Sequence, residues 1–152
     1  MLSVGDPAPP FEGVDQHGQR IVLDELVQRS LVVLYFYPKD FTRVCTQQAC
    51  LFRDLYEDLK ARNVTIVGVS LDGSASHARF SNEHGLPFSL LSDGDKRIAK
   101  AYGVLRLFGI LTKRVTFVID HARTIAGVFH HELSARKHLD DLEALLARRG
   151  AT

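Results

Sequence analysis

The apolar positions of this chain fall into two patterns. Leu31 to Tyr37 reads LVVLYFY, apolar at every position and rich in β-branched and aromatic residues. Such a run suits a strand buried on both faces, and Pro38 ends it. A second buried strand is expected at VTIVGVSL, Val64 to Leu71. Between them Phe52, Leu55, Tyr56 and Leu59 recur at helical spacing, which predicts a helix from about Arg43 to Arg62 with Thr42 as its cap. SASHARFSNEHG, Ser74 to Gly85, predicts a helix capped by Ser74 and stopped by Gly85. FSLLSD reads as a short strand and KRIAKAYG as a short helix. Val115–Asp120 and Thr124–His130 read as a hairpin around HAR. In SARKHLDDLEALLARRG, Leu139, Leu142 and Leu146 share one face of a last helix, with Arg148 and Arg149 near its C-terminus. Ahead of all this lie an irregular arm, Met1 to Phe11, and a short hairpin turning at His17-Gly18.

Strands that alternate with helices imply an α/β fold with a central sheet flanked by helices. The last hairpin makes that sheet mixed, and the first hairpin is an N-terminal extension. With no repeat, low-complexity stretch or long linker, residues 1–152 are expected to form one domain.

Composition narrows the functions. The formal net charge is +1, so no electrostatic footprint for nucleic acid or an anionic membrane is present. The first residues carry no secretory signal pattern, and no apolar run approaches bilayer length. The expected location is the cytoplasm. The two cysteines are too few for a disulfide framework and would rest as thiols there.

Both cysteines lie in YPKDFTRVCTQQAC, Tyr37 to Cys50. With Thr42 as cap, Cys45 is the third residue of the helix. Free N–H groups and the positive end of the helix dipole favour a thiolate there. The Thr42 hydroxyl is expected to point into the same turn and donate to sulfur or to a bound oxygen. Pro38, without an N–H, can wall the pocket. A lone cysteine is most often a small buried hydrophobe, but Pro, Thr and Cys at a helix start, with Cys50 following, point to chemistry.

FYPKDFTRVC resembles the peroxiredoxin pattern Pro-x-x-x-Thr-x-x-Cys through Pro38, Thr42 and Cys45, and Cys50 resembles the resolving position of the PrxQ, or bacterioferritin comigratory protein, branch. GDPAPPF, FRDLYEDL, VGVSLDGSASHARF, LSDGDKRIAKAYGV and RVTFVID are similar to further blocks of that family, so the resemblance spans nearly the whole chain. It implies a thioredoxin-like fold and a thiol peroxidase acting on hydrogen peroxide and organic hydroperoxides. Cys45 would be the peroxidatic nucleophile and Cys50 the resolving cysteine. Thr42 and Arg114 would bind the peroxide, and Pro38 would shield Cys45. The Cys45 sulfenic acid would pass to an intramolecular Cys45–Cys50 disulfide, recycled by a thioredoxin- or glutaredoxin-type reductant. No cofactor is needed. A monomer is expected, with a homodimer as the alternative.

Three positions depart from the branch's pattern. Arg43-Val44 stands where Pro-Gly is common, and Gln48 where Glu is frequent. From position alone Arg114 would read as a solvated strand-end charge. The apolar LRLFGILTK, Leu105 to Lys113, is read either as a cap on the core or as a contact surface. Seven histidines invite a metal reading. His77 and His84 lie about 10 Å apart along their helix, however, and C-x₄-C with no second pair is not a zinc spacing. A non-enzymatic peroxide sensor or holdase built on the same cysteine pair is the alternative function.

Overall fold

A computed structural model describes residues 1–149. The expected N-terminal hairpin forms from β1 (Glu12–Val14) and β2 (Arg20–Val22), paired antiparallel. The Asp15 carboxylate organises its turn by accepting the N–H groups of His17 and Gln19, both at 2.9 Å, and Gly18 takes the left-handed φ of 80° that the turn needs. A short helix follows that the sequence reading did not include, α1 (Leu23–Arg29). Its only buried residues, Leu23 and Val27, are one turn apart, too brief a pattern to separate from the hairpin.

The centre is β3 (Leu31–Phe36), buried at all six positions as its composition requires. Next come α2 (Arg43–Ala61), β4 (Val64–Ser70), α3 (Ser74–His84), β5 (Ser89–Ser92) and α4 (Arg97–Tyr102). α2 starts at Arg43 despite Val44. Gly73, not Ser74, is the N-cap of α3, and Gly85 ends that helix in the left-handed region, φ 60°. A small hairpin, β6 (Leu105–Arg106) with β7 (Leu111–Thr112), lies in the apolar segment. Then β8 (Val115–Ile119) and β9 (Ile125–His130) form the expected hairpin, and α5 (Ala135–Arg149) closes the described chain. Gly150, which the sequence pattern assigns to that helix, lies outside the described residues.

The strand order is β5-β4-β3-β8-β9. β3 pairs parallel with β4 and antiparallel with β8, and β4 pairs parallel with β5, so the sheet is mixed. Alternating β3 residues feed two cores. Leu31, Val33 and Tyr35, with Tyr37 just beyond the strand, face α2, α3 and α5, whereas Val32, Leu34 and Phe36 face α1 and α4. Gly68 on β4 is required by close approach: a Cβ there would lie 2.8 Å from Leu90 Cδ2 and 2.9 Å from the Tyr35 ring.

The apolar Leu105–Leu111 segment divides between its two readings. Leu105 is half-buried and packs on the core, while Leu107, Phe108 and Ile110 are exposed at the hairpin tip.

Candidate active site

β3 delivers the chain to Pro38, which is half-buried, and the loop that follows turns sharply at Phe41, φ 65°. α2 then begins with Thr42 as N-cap, so Cys45 is its third residue. No acidic residue lies in the first turn of α2 and no side chain caps it. Its leading N–H groups are therefore left to an incoming anion.

The Thr42 hydroxyl departs from expectation. It donates to the Lys39 carbonyl at 2.7 Å rather than to sulfur. A threonine three residues after a carbonyl can close a local turn in this way. Thr42 is exposed, and its oxygen retains lone pairs that can accept.

Arg114, just before β8, is not a solvated charge. It is 4% exposed and reaches Cys45, itself 1% exposed. Its Nη1 donates to Cys45 Sγ at 3.2 Å and to Gln48 Oε1 at 3.1 Å. Its Nε donates to the Glu132 carbonyl at 3.0 Å, while its backbone N–H meets the Glu132 carboxylate at 3.2 and 3.3 Å. Glu132 also binds Arg106 at 3.0 Å and His130 at 2.6 Å. Burial works to raise the Glu132 carboxyl, but its donors from His130 and the Arg114 backbone, with the charge of Arg106, hold it below the usual range. Among the described residues the Arg114 guanidinium meets no carboxylate within ion-pair distance. Among the described residues the Cys45 sulfur is the one ionisable group that the guanidinium touches. Gln48 is completely buried, and its Nε2 makes no protein hydrogen bond. It thus leaves a free donor beside Arg114.

The loop carrying Pro38 and Thr42 is held from behind. Asp40 accepts from Tyr37 Oη at 2.6 Å, Ser76 Oγ at 2.8 Å and His77 Nδ1 at 2.7 Å, and His77 Nε2 lies 3.0 Å from the Leu91 carbonyl. Both His77 nitrogens face oxygen atoms, Asp40 Oδ2 on one side and the Leu91 carbonyl on the other. Burial opposes a charge on Asp40, yet the bonds from His77, Tyr37 and Ser76 hold its carboxyl below the usual range. Asp40, His77 and Glu132 were not among the residues selected from the sequence. The surviving signal for the first is a carboxylate between Pro38 and Thr42.

Cys50, five positions beyond Cys45, is half-buried, and both cysteines are free. Its sulfur lies 3.9 Å from His84 Nδ1. It also opens on a depression of about 450 Å³ lined by Gln47, Leu51, Asp54, Leu133, Ser134, Ala135 and Arg136. The structure thus brings Cys45 and Arg114 together and places Thr42 and Pro38 in the adjoining loop. Cys50 stands a little over one helical turn away. Among the described residues no group of three or more His, Cys, Asp or Glu is placed to hold a metal, and no helix is long and apolar enough to cross a membrane.

Comparison with known proteins gives the family. Residues 4–128 match the AhpC/TSA family. The chain is 41% identical over 146 residues to a chloroplastic peroxiredoxin Q of Sedum lineare, covering 95% of this chain and 78% of that protein. It is 39% identical to a chloroplastic peroxiredoxin Q of Oryza sativa subsp. japonica, covering 95% and 67%. Peroxidoxin BcpB of Mycobacterium tuberculosis superposes with a TM-score of 0.90 at 37% identity, covering 97% of this chain and 98% of that one. A PrxQ variant of Xylella fastidiosa gives 0.84 at 26%, covering 95% and 97%. The sheet order, the buried thiol–guanidinium pair and these matches agree: the chain belongs to the AhpC/TSA family, as a thioredoxin-fold thiol peroxidase of the peroxiredoxin Q branch.

Proposed function

We propose that the chain reduces hydrogen peroxide and organic hydroperoxides through Cys45, resolves the product with Cys50, and is recycled by a dithiol reductant of the thioredoxin or glutaredoxin type. The observation that carries this reading is the 3.2 Å contact between a buried guanidinium and the Cys45 sulfur at an uncapped helix start. The thiolate attacks the peroxide O–O bond, one oxygen stays on sulfur as the sulfenic acid, and the other leaves as alkoxide or hydroxide and takes a proton. Arg114, the first N–H groups of α2 and the free Gln48 amide are donors for charge on the sulfur and the departing oxygen. Cys50 then attacks the oxidised sulfur, releasing water and forming the disulfide. The depression beside Cys50 gives a reductant thiolate a route to that bond.

The test is turnover with each cysteine changed. Cys45→Ser is expected to abolish peroxide reduction. Cys50→Ser is expected to yield one sulfenic acid per chain and then stall with thioredoxin. Sustained consumption by the wild type with thioredoxin or glutaredoxin supports the enzyme. One equivalent followed by silence supports a sensor, and rapid consumption by Cys45→Ser sinks the assignment.

A further inference from the structure

Cys50 has to become a thiolate before it can attack, yet none of the groups that serve Cys45 reaches it. It lies beyond the first turn of α2, where the dipole and free N–H groups no longer act, and Arg114 donates elsewhere. What faces its sulfur is the imidazole of His84, Nδ1 at 3.9 Å. The two residues come from different helices, 34 positions apart in sequence.

The ring is held for this contact. Phe80, one turn earlier on α3, meets it edge-on with ring centres 5.2 Å apart, and Phe80 is itself completely buried. Arg53 of α2 donates from Nη1 to the His84 carbonyl at 2.8 Å, tying the end of α3 to the helix that carries Cys50. His84 occupies the last turn of α3, and among the described residues its Nε2 bonds no protein atom, so solvent can relay a proton through the ring. The ring is half-buried, which leaves solvent access.

We propose that His84 is the general base that deprotonates Cys50 for its attack on oxidised Cys45. The inference rests on the peroxidase reading above and deepens it. The proton on Cys50 Sγ moves to His84 Nδ1, and the thiolate forms a bond to the Cys45 sulfur. The S–O bond of the sulfenic acid breaks, and the hydroxide leaves as water with a proton taken from solvent, to which the imidazolium releases its own through Nε2. The Cys50 sulfur is oxidised and the Cys45 sulfur reduced by the same electron pair. At 3.9 Å the thiol and Nδ1 are within hydrogen-bond reach for a sulfur donor. The base acts before α2 opens, because afterwards Cys50 leaves α3 behind. Charged groups beside the pair include Arg53 on α2, which holds the His84 carbonyl, and Asp54 on α2 and Arg136 on α5, which line the depression at Cys50.

Two measurements separate this step from the rest of the cycle. In full-length Cys45→Ser protein, where Cys50 is the sole thiol, iodoacetamide alkylation is followed against pH with His84 intact, as His84→Gln and as His84→Phe. Both substitutions are expected to slow alkylation at pH 7 by about tenfold and to change its dependence on pH. With Cys45 present, one equivalent of peroxide followed by acid quench and mass spectrometry is expected to show disulfide formation slowed about tenfold or more by both substitutions, with sulfenic acid persisting. Unchanged profiles and unchanged disulfide rates overturn the proposal. So does a His84→Phe protein that behaves as wild type while His84→Gln does not, since phenylalanine keeps the packing on Phe80 and lacks the nitrogen. If wild-type protein forms no sulfenic acid at all, the peroxidase reading fails, and the alkylation measurement still decides whether His84 takes the Cys50 proton.

Discussion

At the scale of single residues, the site turns on where the charge of Arg114 is spent. Its three side-chain acceptors are the Cys45 sulfur, the Gln48 amide oxygen and the Glu132 carbonyl. A carboxylate at position 48 would share the cation; an amide keeps the hydrogen bond without the charge, so the sulfur has no anionic competitor. Arg114→Ala is expected to lower the second-order rate of peroxide reduction about 10²–10³-fold, the 2.7–4 kcal/mol typical of losing one such donor. Arg114→Lys is expected to recover only part of this, because an ammonium cannot span sulfur, amide and carbonyl with a planar fork. Stopped-flow kinetics under single-turnover conditions checks both, and rates equal to wild type would return Arg114 to a structural role. Position in the chain could not show this, because the contact joins residues 69 apart. For the same reason the partners His77, Glu132 and His84 were silent in the sequence. A histidine at a helix end has no local signature that says which thiol it will meet.

At the scale of elements, α2 holds two demands that conflict. Residues five apart on an intact helix have Cα atoms roughly 8–9 Å apart, beyond the roughly 7 Å that a disulfide tolerates. The wound helix therefore presents Cys45 to peroxide and forbids its bond to Cys50. The start of α2 is built to open: Thr42 and Arg43 are exposed, no side chain caps the turn and no first-turn carboxylate reinforces it. Opening is expected to stop before Phe52, whose ring is fully buried 4.9 Å from Tyr35 and 6.4 Å from Phe88. Peroxide should therefore produce an intramolecular Cys45–Cys50 disulfide with hydrogen-exchange protection lost across Thr42–Cys50 and retained from Phe52 onward. An intermolecular linkage, or an oxidised form still protected throughout, would overturn local unwinding. The elements themselves were largely legible, because the run Leu31–Tyr37 and the spacing of Phe52, Leu55, Tyr56 and Leu59 state their burial directly. α1 and the β6–β7 hairpin were not, since seven residues and two pairs of two carry too little periodicity to rise above a loop. The direction of the Thr42 hydroxyl was illegible for another reason: an N-cap position specifies the backbone, while the hydroxyl chose a carbonyl on the other side.

At the scale of the whole molecule, the two cores share β3, so whatever loosens the α2–α3–α5 layer is felt at the site. His138 on α5 is a titratable group inside that layer. It is fully buried; its Nδ1 lies 2.9 Å from the Thr116 hydroxyl of β8, and its Nε2 2.9 Å from the His131 carbonyl. The neutral ring satisfies both partners, one nitrogen accepting and the other donating, whereas a charged ring would be stranded without a contacting carboxylate. Burial therefore pushes its pKa down to about 4. In the unfolded chain the same ring takes its proton near 6.5. Between those values the unfolded state binds the extra proton and the folded state does not, so stability falls as the pH falls through this window and levels off below it. The full loss across this window amounts to roughly 3–4 kcal/mol, of which the larger part is reached by pH 4.5. Asp40 works in the opposite range: its lowered carboxyl contributes stability above the unfolded carboxylate value of about 3.9, and that contribution disappears only at lower pH. Urea unfolding at pH 7 and at pH 4.5 is expected to show the His138 loss, and His138→Gln, which keeps an amide donor and cannot titrate, is expected to flatten it. The readout is the difference between the two pH values, so a uniform cost of the substitution does not affect it. Equal pH slopes in wild type and variant would mean that another group carries the acid sensitivity of the fold.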